Sequence, residues 1–203
     1  MFWNSISPVC ALFENVYNGK VYTGTGQRVA GFIDRRDDVL ECACGTGAIT
    51  ESIAPTCKSL IATDFAEGML KRAAEKCARF DNVTFQTTDI AGTGFDGASF
   101  DKVVVGNVIH LLPEPDRALL ELERVVRPGG MLIIPTYISA TGKADRGVAR
   151  FLELLGTDFK GRFDLASHKR FFDDLGYRDA LYTVVDGILR DSGYQGVNRP
   201  RRR

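Results

Sequence analysis

Three acidic residues stand where an apolar run of strand length gives way to a turn. Glu41 precedes Cys42-Ala43-Cys44-Gly45-Thr46-Gly47, Asp64 closes Leu60-Ile61-Ala62-Thr63, and Asp89 closes Val83-Thr84-Phe85-Gln86-Thr87-Thr88. If the runs are strands of one sheet, the carboxylates meet in register at its carboxyl edge, where open α/β sheets bind ligands. Gly45 and Gly47 carry no Cβ and permit a tight turn with close backbone approach to a ligand. Asp64 lies at the distance from that turn at which a carboxylate accepts both hydroxyls of a ribose. Asp89 is placed to accept from the exocyclic amine of a base, with Ile90 packing on the ring. Glu41 favours a cationic group and disfavours a pyrophosphate, and the third glycine that a dinucleotide fingerprint requires is replaced by Thr50. Singly, each acid reads equally well as a helix cap or a solvated loop carboxylate. Together they outline a ligand with an ammonium, a ribose and a base.

Positioning such groups requires alternating strands and helices. Val39–Cys44, Ser59–Phe65, Val83–Asp89, Lys102–Val108 and Met131–Tyr137 are apolar runs of strand length. Their hydrophobicity is continuous, as expected of strands covered on both faces. Ala48–Ala54, Ala66–Phe80 and Pro115–Val126 show helical patterning. In the last, Leu119, Leu122, Val125 and Val126 share one face while Asp116, Glu121, Glu123 and Arg124 are mostly outward. Arg127-Pro128-Gly129-Gly130 ends it and turns the chain into the fifth strand. The expectation is an α/β fold, a doubly wound and mostly parallel sheet with helices on both faces. Further on, Phe151 to Leu155 are helical in pattern, and Asp164–Leu175 is a helix capped by Gly176, its His168 expected to face solvent. Leu181–Val185 is a sixth strand.

The charge balance is zero, 26 Lys plus Arg against 26 Asp plus Glu, but Arg199, Arg201, Arg202 and Arg203 fall in the last five of 203 residues. The body is therefore mildly acidic and the tail basic. This argues against nucleic acid as a partner. No apolar stretch approaches the ~20 residues of a membrane span, and Met1–Phe13 lacks the pattern of a secretory signal, so a cytoplasmic location is expected. The five cysteines, Cys10, Cys42, Cys44, Cys57 and Cys77, have neither disulfide-framework nor zinc-site spacing. No metal is expected, and Cys42 and Cys44 read as small fillers of the glycine turn.

The motifs together resemble those of class I S-adenosylmethionine-dependent methyltransferases, in the small-molecule subgroup similar to ubiquinone/menaquinone C-methyltransferases. Glu41–Gly47 matches that family's glycine motif, and Thr63-Asp64-Phe65-Ala66-Glu67-Gly68-Met69 its ribose acid and the helix carrying an adenine-contacting Met. Thr88-Asp89-Ile90 matches its adenine clamp, and Phe100–Leu112 and Arg127–Ile134 its fourth and fifth strands. The match covers residues 37–137. It implies a Rossmann-like fold binding S-adenosyl-L-methionine through Glu41, Ala43, Cys44, Gly45, Thr46, Gly47, Asp64, Phe65, Met69, Thr88, Asp89, Ile90, Asn107 and Val108. It also implies in-line methyl transfer to a small or lipophilic acceptor, leaving S-adenosyl-L-homocysteine. His110, beside Asn107 after the fourth strand, is the candidate base, with packing over the methionine moiety or helix capping as its bland alternatives. Tyr17 and Tyr22, with Phe13, form a candidate lid or substrate surface.

One domain over residues 1–203 is expected: an N-terminal helical cap (1–36), a cofactor-binding core (37–137), a substrate-side segment with the last strand (138–188) and a basic tail (189–203). The family's sheet ends with an antiparallel seventh strand inserted beside the sixth. Residues 189–203 carry no alternation or apolar run to supply it. The exposed edge would then be covered by the tail or by a partner protomer in a homodimer. Two rival functions share part of the pattern: a nicotinamide-dependent oxidoreductase, which would not require Glu41 or Asp89, and a non-catalytic S-adenosylmethionine-binding protein.

Overall fold

The computed structural model describes residues 19–139, 165–177, 180, 182, 184–186 and 192–195, with side chains from residue 24 onward except along the last strands. Helix α1 (Gly19–Ala30) leads into strand β1 (Asp38–Cys42), a short helix α2 (Thr50–Ile53), β2 (Ser59–Asp64), α3 (Glu67–Lys76) and β3 (Val83–Thr87). There follow β4 (Phe100–Val105), α4 (Pro115–Val125), β5 (Val126–Ile133), β6 (Thr136–Ser139), α5 (Leu165–Asp174), β7 (Val184–Asp186) and β8 (Ser192–Gln195).

The first five strands form a parallel sheet in the order β3-β2-β1-β4-β5. The reversal between β1 and β4 creates a crevice at the carboxyl edge of the sheet. Alternate residues of the central strands feed opposite faces. Leu40, Cys42, Val103, Val105, Leu132 and Ile134 pack with Leu119, Leu122 and Val125 of α4 and with Phe172 of α5. Val39, Leu60, Val104 and Ile133 pack on the other side with Val29 of α1 and Ile53 of α2. Ala62 meets Leu70 and Ala73 of α3 on that other side. The continuous apolar runs thus belong to strands sandwiched between helices, as predicted.

Two expectations are corrected. The tail does supply a strand: Ser192–Gln195 is antiparallel to both β6 and β7 and lies between them, giving the order β6-β8-β7. Two residues separate β5 from β6, and of the two covers expected for the last strands, the tail or a partner protomer, the tail is the one that pairs there. Four residues are too few to show alternation, and the strand is held by backbone ladders whose partners lie far away in sequence. His168 is not on the solvent side. It is fully buried on α5, 4.9 Å from the Phe172 ring and 6.1 Å from the Tyr182 ring. Positions 168 and 172 are one helical turn apart, so the histidine shares the face that carries Phe172 into the core.

Among the described residues no helix is long and apolar enough to cross a membrane. The segment containing Phe151 to Leu155, the candidate lid residues Phe13 and Tyr17, the side chain of Tyr22, and Cys10 lie outside the described part.

Candidate active site

The glycine turn leaves β1 through left-handed backbone, with Ala43 at φ 54°, Gly45 at 57° and Gly47 at 82°. The two glycines serve different neighbours. A Cβ on Gly47 would stand 3.1 Å from both Cα and Cβ of Ala73, so this glycine lets α3 close against the turn. A Cβ on Gly45 would meet nothing within 4 Å, so its backbone faces open space at the crevice. Ala43 adopts the same region with a side chain, a conformation that costs an L-residue about 1–2 kcal/mol.

Hydrogen bonds join this turn to the ends of β2 and β3. The Cys44 N–H donates to the Thr63 carbonyl at 2.9 Å, and the Gly45 N–H donates to Asp64 Oδ2 at 2.9 Å. Asp64 Oδ1 accepts from the Ala66 N–H at 2.9 Å, and the Thr88 N–H donates to the Asp64 carbonyl at 3.2 Å. Each carboxylate oxygen of Asp64 thus retains acceptor capacity for a ligand hydroxyl. Burial raises its pKa against the lowering effect of these N–H groups. Phe65, next in sequence, leaves 59% of its surface exposed at the same edge.

The three acids form a staircase rather than a level row. Glu41 pairs with Ala62, two residues short of Asp64, whereas Asp64 pairs with Thr87, two residues short of Asp89. Glu41 is 1% exposed, Asp64 is half-buried and Asp89 is exposed. Glu41 Oε2 accepts a 2.6 Å hydrogen bond from Thr50 Oγ1. Burial, reinforced by the charge of Asp64, nevertheless pushes its pKa up to about 8. Thr50, noticed in the sequence only as a missing glycine, therefore ties the start of α2 to the acid that begins the motif. Glu41 shapes the turn from inside.

Asp89 closes a small turn of its own. Its Oδ1 accepts from the Ala91 N–H at 2.9 Å, its carbonyl accepts from the Gly92 N–H at 3.1 Å, and Asp89 and Gly92 form an isolated antiparallel bridge. Opposite, Gly106 follows the end of β4, and a Cβ on it would stand 2.9 Å from Ile49 Cδ1 beside the glycine turn. Asn107 follows at φ 53°, its N–H donating to the Pro135 carbonyl at 2.6 Å. Val108 leads into a 3-10 turn, Ile109–Leu111, that carries His110. Burial lowers the His110 pKa to about 4, which leaves a neutral imidazole at physiological pH.

The strand order brings the open Gly45 and the acid after β2 together at the carboxyl edge of the parallel sheet. The sequence of this core matches a family model described as "Methyltransferase domain" over residues 40–134. Residues 40–134 are similar to a methyltransferase domain. Over 96 residues the chain is 36% identical to a demethylmenaquinone methyltransferase of Clavibacter sepedonicus, covering 47% of this chain and 39% of that protein. The chain spans less than half the length of the curated relatives it matches. Among solved structures, the carbon methyltransferase of CurJ superposes with a TM-score of 0.70 at 20% identity, over 92% of this chain and 56% of that one. A SAM-dependent methyltransferase from Aquifex aeolicus gives 0.62 at 18%, over 84% and 86%. These similarities carry the fold.

Within residues 40–134, the expected contact residues Gly45, Asp64, Phe65, Thr88, Asp89, Asn107 and Val108 converge on the carboxyl edge. Ala43, Cys44, Thr46 and Gly47 build the turn. Met69, 5% exposed in the first turn of α3, and the half-buried Ile90 back it. Cys42 and Cys44 are buried free thiols whose pKa values burial raises, to about 12 for Cys42. Sequence reading missed the pair Thr93 and Glu121. Glu121, expected outward, turns its carboxylate onto the Thr93 hydroxyl at 2.6 Å, across 28 residues of sequence. No local spacing could have revealed that bond.

Proposed function

We propose that this chain is an S-adenosyl-L-methionine-dependent methyltransferase acting on a small or lipophilic acceptor. The observation that carries the reading is the clasp of Gly45, Asp64 and Thr88, set at the crevice of a sequence-matched methyltransferase domain. The residues fit the cofactor. Gly45 has free space where a Cβ would stand, Asp64 has acceptor capacity for two hydroxyls, and the Thr88 hydroxyl is a shielded polar atom with no hydrogen-bond partner among the described residues. When bound, the cofactor supplies a sulfonium methyl group that the acceptor's nucleophile displaces in line, leaving S-adenosyl-L-homocysteine.

The chain's own residues orient and exclude water. Asp64 binds the ribose, Asp89 reads the adenine amine, and Phe65 and Ile90 pack on the ring. Glu41 acts through the turn, as a buried acid that holds the start of α2 through Thr50. His110, neutral and half-buried after β4, takes the proton of an acceptor that must lose one. The demethylmenaquinone methyltransferase relative makes quinol-type ring carbons the first acceptors to test, with phenols and thiols beside them.

Calorimetry with S-adenosyl-L-homocysteine and with NAD tests the binding half of the reading. Tight binding of the first and none of the second is expected, and Asp64→Asn should weaken the first by at least about tenfold, since hydrogen bonds to a charged group contribute about 1.5–3 kcal/mol. Binding of NAD alone would end the reading. Release of S-adenosyl-L-homocysteine across an acceptor screen tests turnover.

A further inference from the structure

The turn that follows β3 is held from outside the pocket. Glu121, near the C-terminal end of α4, keeps its side chain 13% exposed although it stands on the polar side of an amphipathic helix. Its Oε1 accepts from both the backbone N–H of Thr93, at 2.9 Å, and the Thr93 hydroxyl, at 2.6 Å. Arg124 braces the carboxylate from one helical turn away, with Nε 2.7 Å from Oε2 and Nη2 2.8 Å from Oε1. The same Nη2 donates to the Phe95 carbonyl at 2.6 Å. Thr93 itself is 4% exposed.

This anchorage begins one residue after the Asp89 turn ends. Asp89 is bonded to Ala91 and Gly92, and Gly92 is followed directly by the residue that Glu121 grips. Phe95 then plants the far end of the segment in the core, edge-on to Phe100 at 5.2 Å. Among the described residues the exposed Asp89 is bonded only within its own turn, and that turn runs directly into the held Thr93. Arg124 and Thr93 bonding holds the Glu121 carboxyl down at about 2, so it is an anion throughout the working pH range.

We propose that Glu121 is a positioning residue for base recognition: by gripping Thr93 it fixes the Asp89–Gly92 turn, and so decides how strictly the pocket requires an amine on the purine. The proposal rests on the reading of Asp89 as the acceptor for the adenine amine. Charge-assisted bonds to a buried N–H and a hydroxyl are the strong kind, so the grip is firm enough to transmit direction.

The test is the ratio of affinities for S-adenosyl-L-homocysteine and S-inosyl-L-homocysteine, in which a carbonyl replaces the amine. Calorimetry would be run on the wild type, Glu121→Gln and Thr93→Val, the last keeping the backbone N–H bond while deleting the hydroxyl. The wild type should prefer the adenosyl ligand by about tenfold or more. Glu121→Gln should cut that preference about three- to tenfold, and Thr93→Val should cut it by less. Equal weakening of both ligands, with the preference kept, would mean that Glu121 only stabilises the fold and would overturn the proposal. A wild type that binds both ligands equally would overturn it as well. A wild type that binds neither would instead refute the proposed function. If Glu121→Gln does not fold, the Thr93→Val preference alone decides.

Discussion

At the scale of single residues, the buried acid and the half-buried histidine have opposite pH signatures. Glu41 is raised by burial from 4.5 to about 8. Between those values the folded chain holds a proton that the unfolded chain has released. Stability from this group is therefore lost as pH rises from about 4.5 towards 8. Glu41→Gln should flatten that slope in urea unfolding followed across the window. An unchanged slope would show that Glu41 is ionised in the native protein. His110 is lowered by burial from 6.5 to about 4. If it accepts the acceptor's proton, the rate should be flat through neutrality and fall only as pH drops through about 4. A histidine limb centred near 6.5 in the kcat/KM profile would show that His110 is solvated in the free enzyme. The types of both residues were legible in the sequence. Their protonation states were not, because burial is set by what packs around them.

The element scale is where the glycine motif becomes mechanical. Gly47 combines φ 82° with an approach of 3.1 Å to Ala73, so Gly47→Ala would meet both backbone strain and a steric conflict with α3. Denaturant unfolding should show a loss of about 2 kcal/mol or more. A loss under about 0.5 kcal/mol would mean that α3 is free to shift. The strands and helices around this motif were readable because they are long and bear their own period. Leu119, Leu122 and Val125 fall at helical spacing and all three are buried. Shorter or mixed signals misled. His168 was polar by type but lies on the Phe172 face of α5, and Ser192–Gln195 has a strand's hydrogen bonds without a strand's composition.

On the scale of the whole molecule, the two ends of the parallel sheet do different work. The carboxyl edge gathers the candidate site, and the opposite edge is closed by ions. Arg127 at the start of β5 reaches Asp38 of β1 at 3.2 Å and Asp101 of β4 at 2.7 Å. Asp38 also accepts from Ser59 and Lys58, and these partners, the Ser59 hydroxyl foremost, hold its pKa at about 2. A depressed carboxylate contributes stability above its unfolded value of about 3.8, and that contribution is lost as pH falls towards 2. Arg127→Ala should therefore move the acid-unfolding midpoint upward in circular dichroism. At neutral pH it should cost little stability, because the guanidinium is 38% exposed and screened by solvent. Cofactor affinity should stay within about twofold, since the substitution lies at the far end of the strands. A large loss of affinity would show that the two edges are coupled. The sequence by itself determined the alternation of strands and helices, the turn-forming glycines and the acids beside them, because each is encoded in a short run of neighbours. Only the tertiary structure decided that Glu41 is an inner support, that Glu121 grips Thr93, that His168 is buried and that Ser192–Gln195 pairs with β6 and β7. Each of those depends on what packs or pairs with the residue in the folded chain, which its own type and near neighbours do not fix.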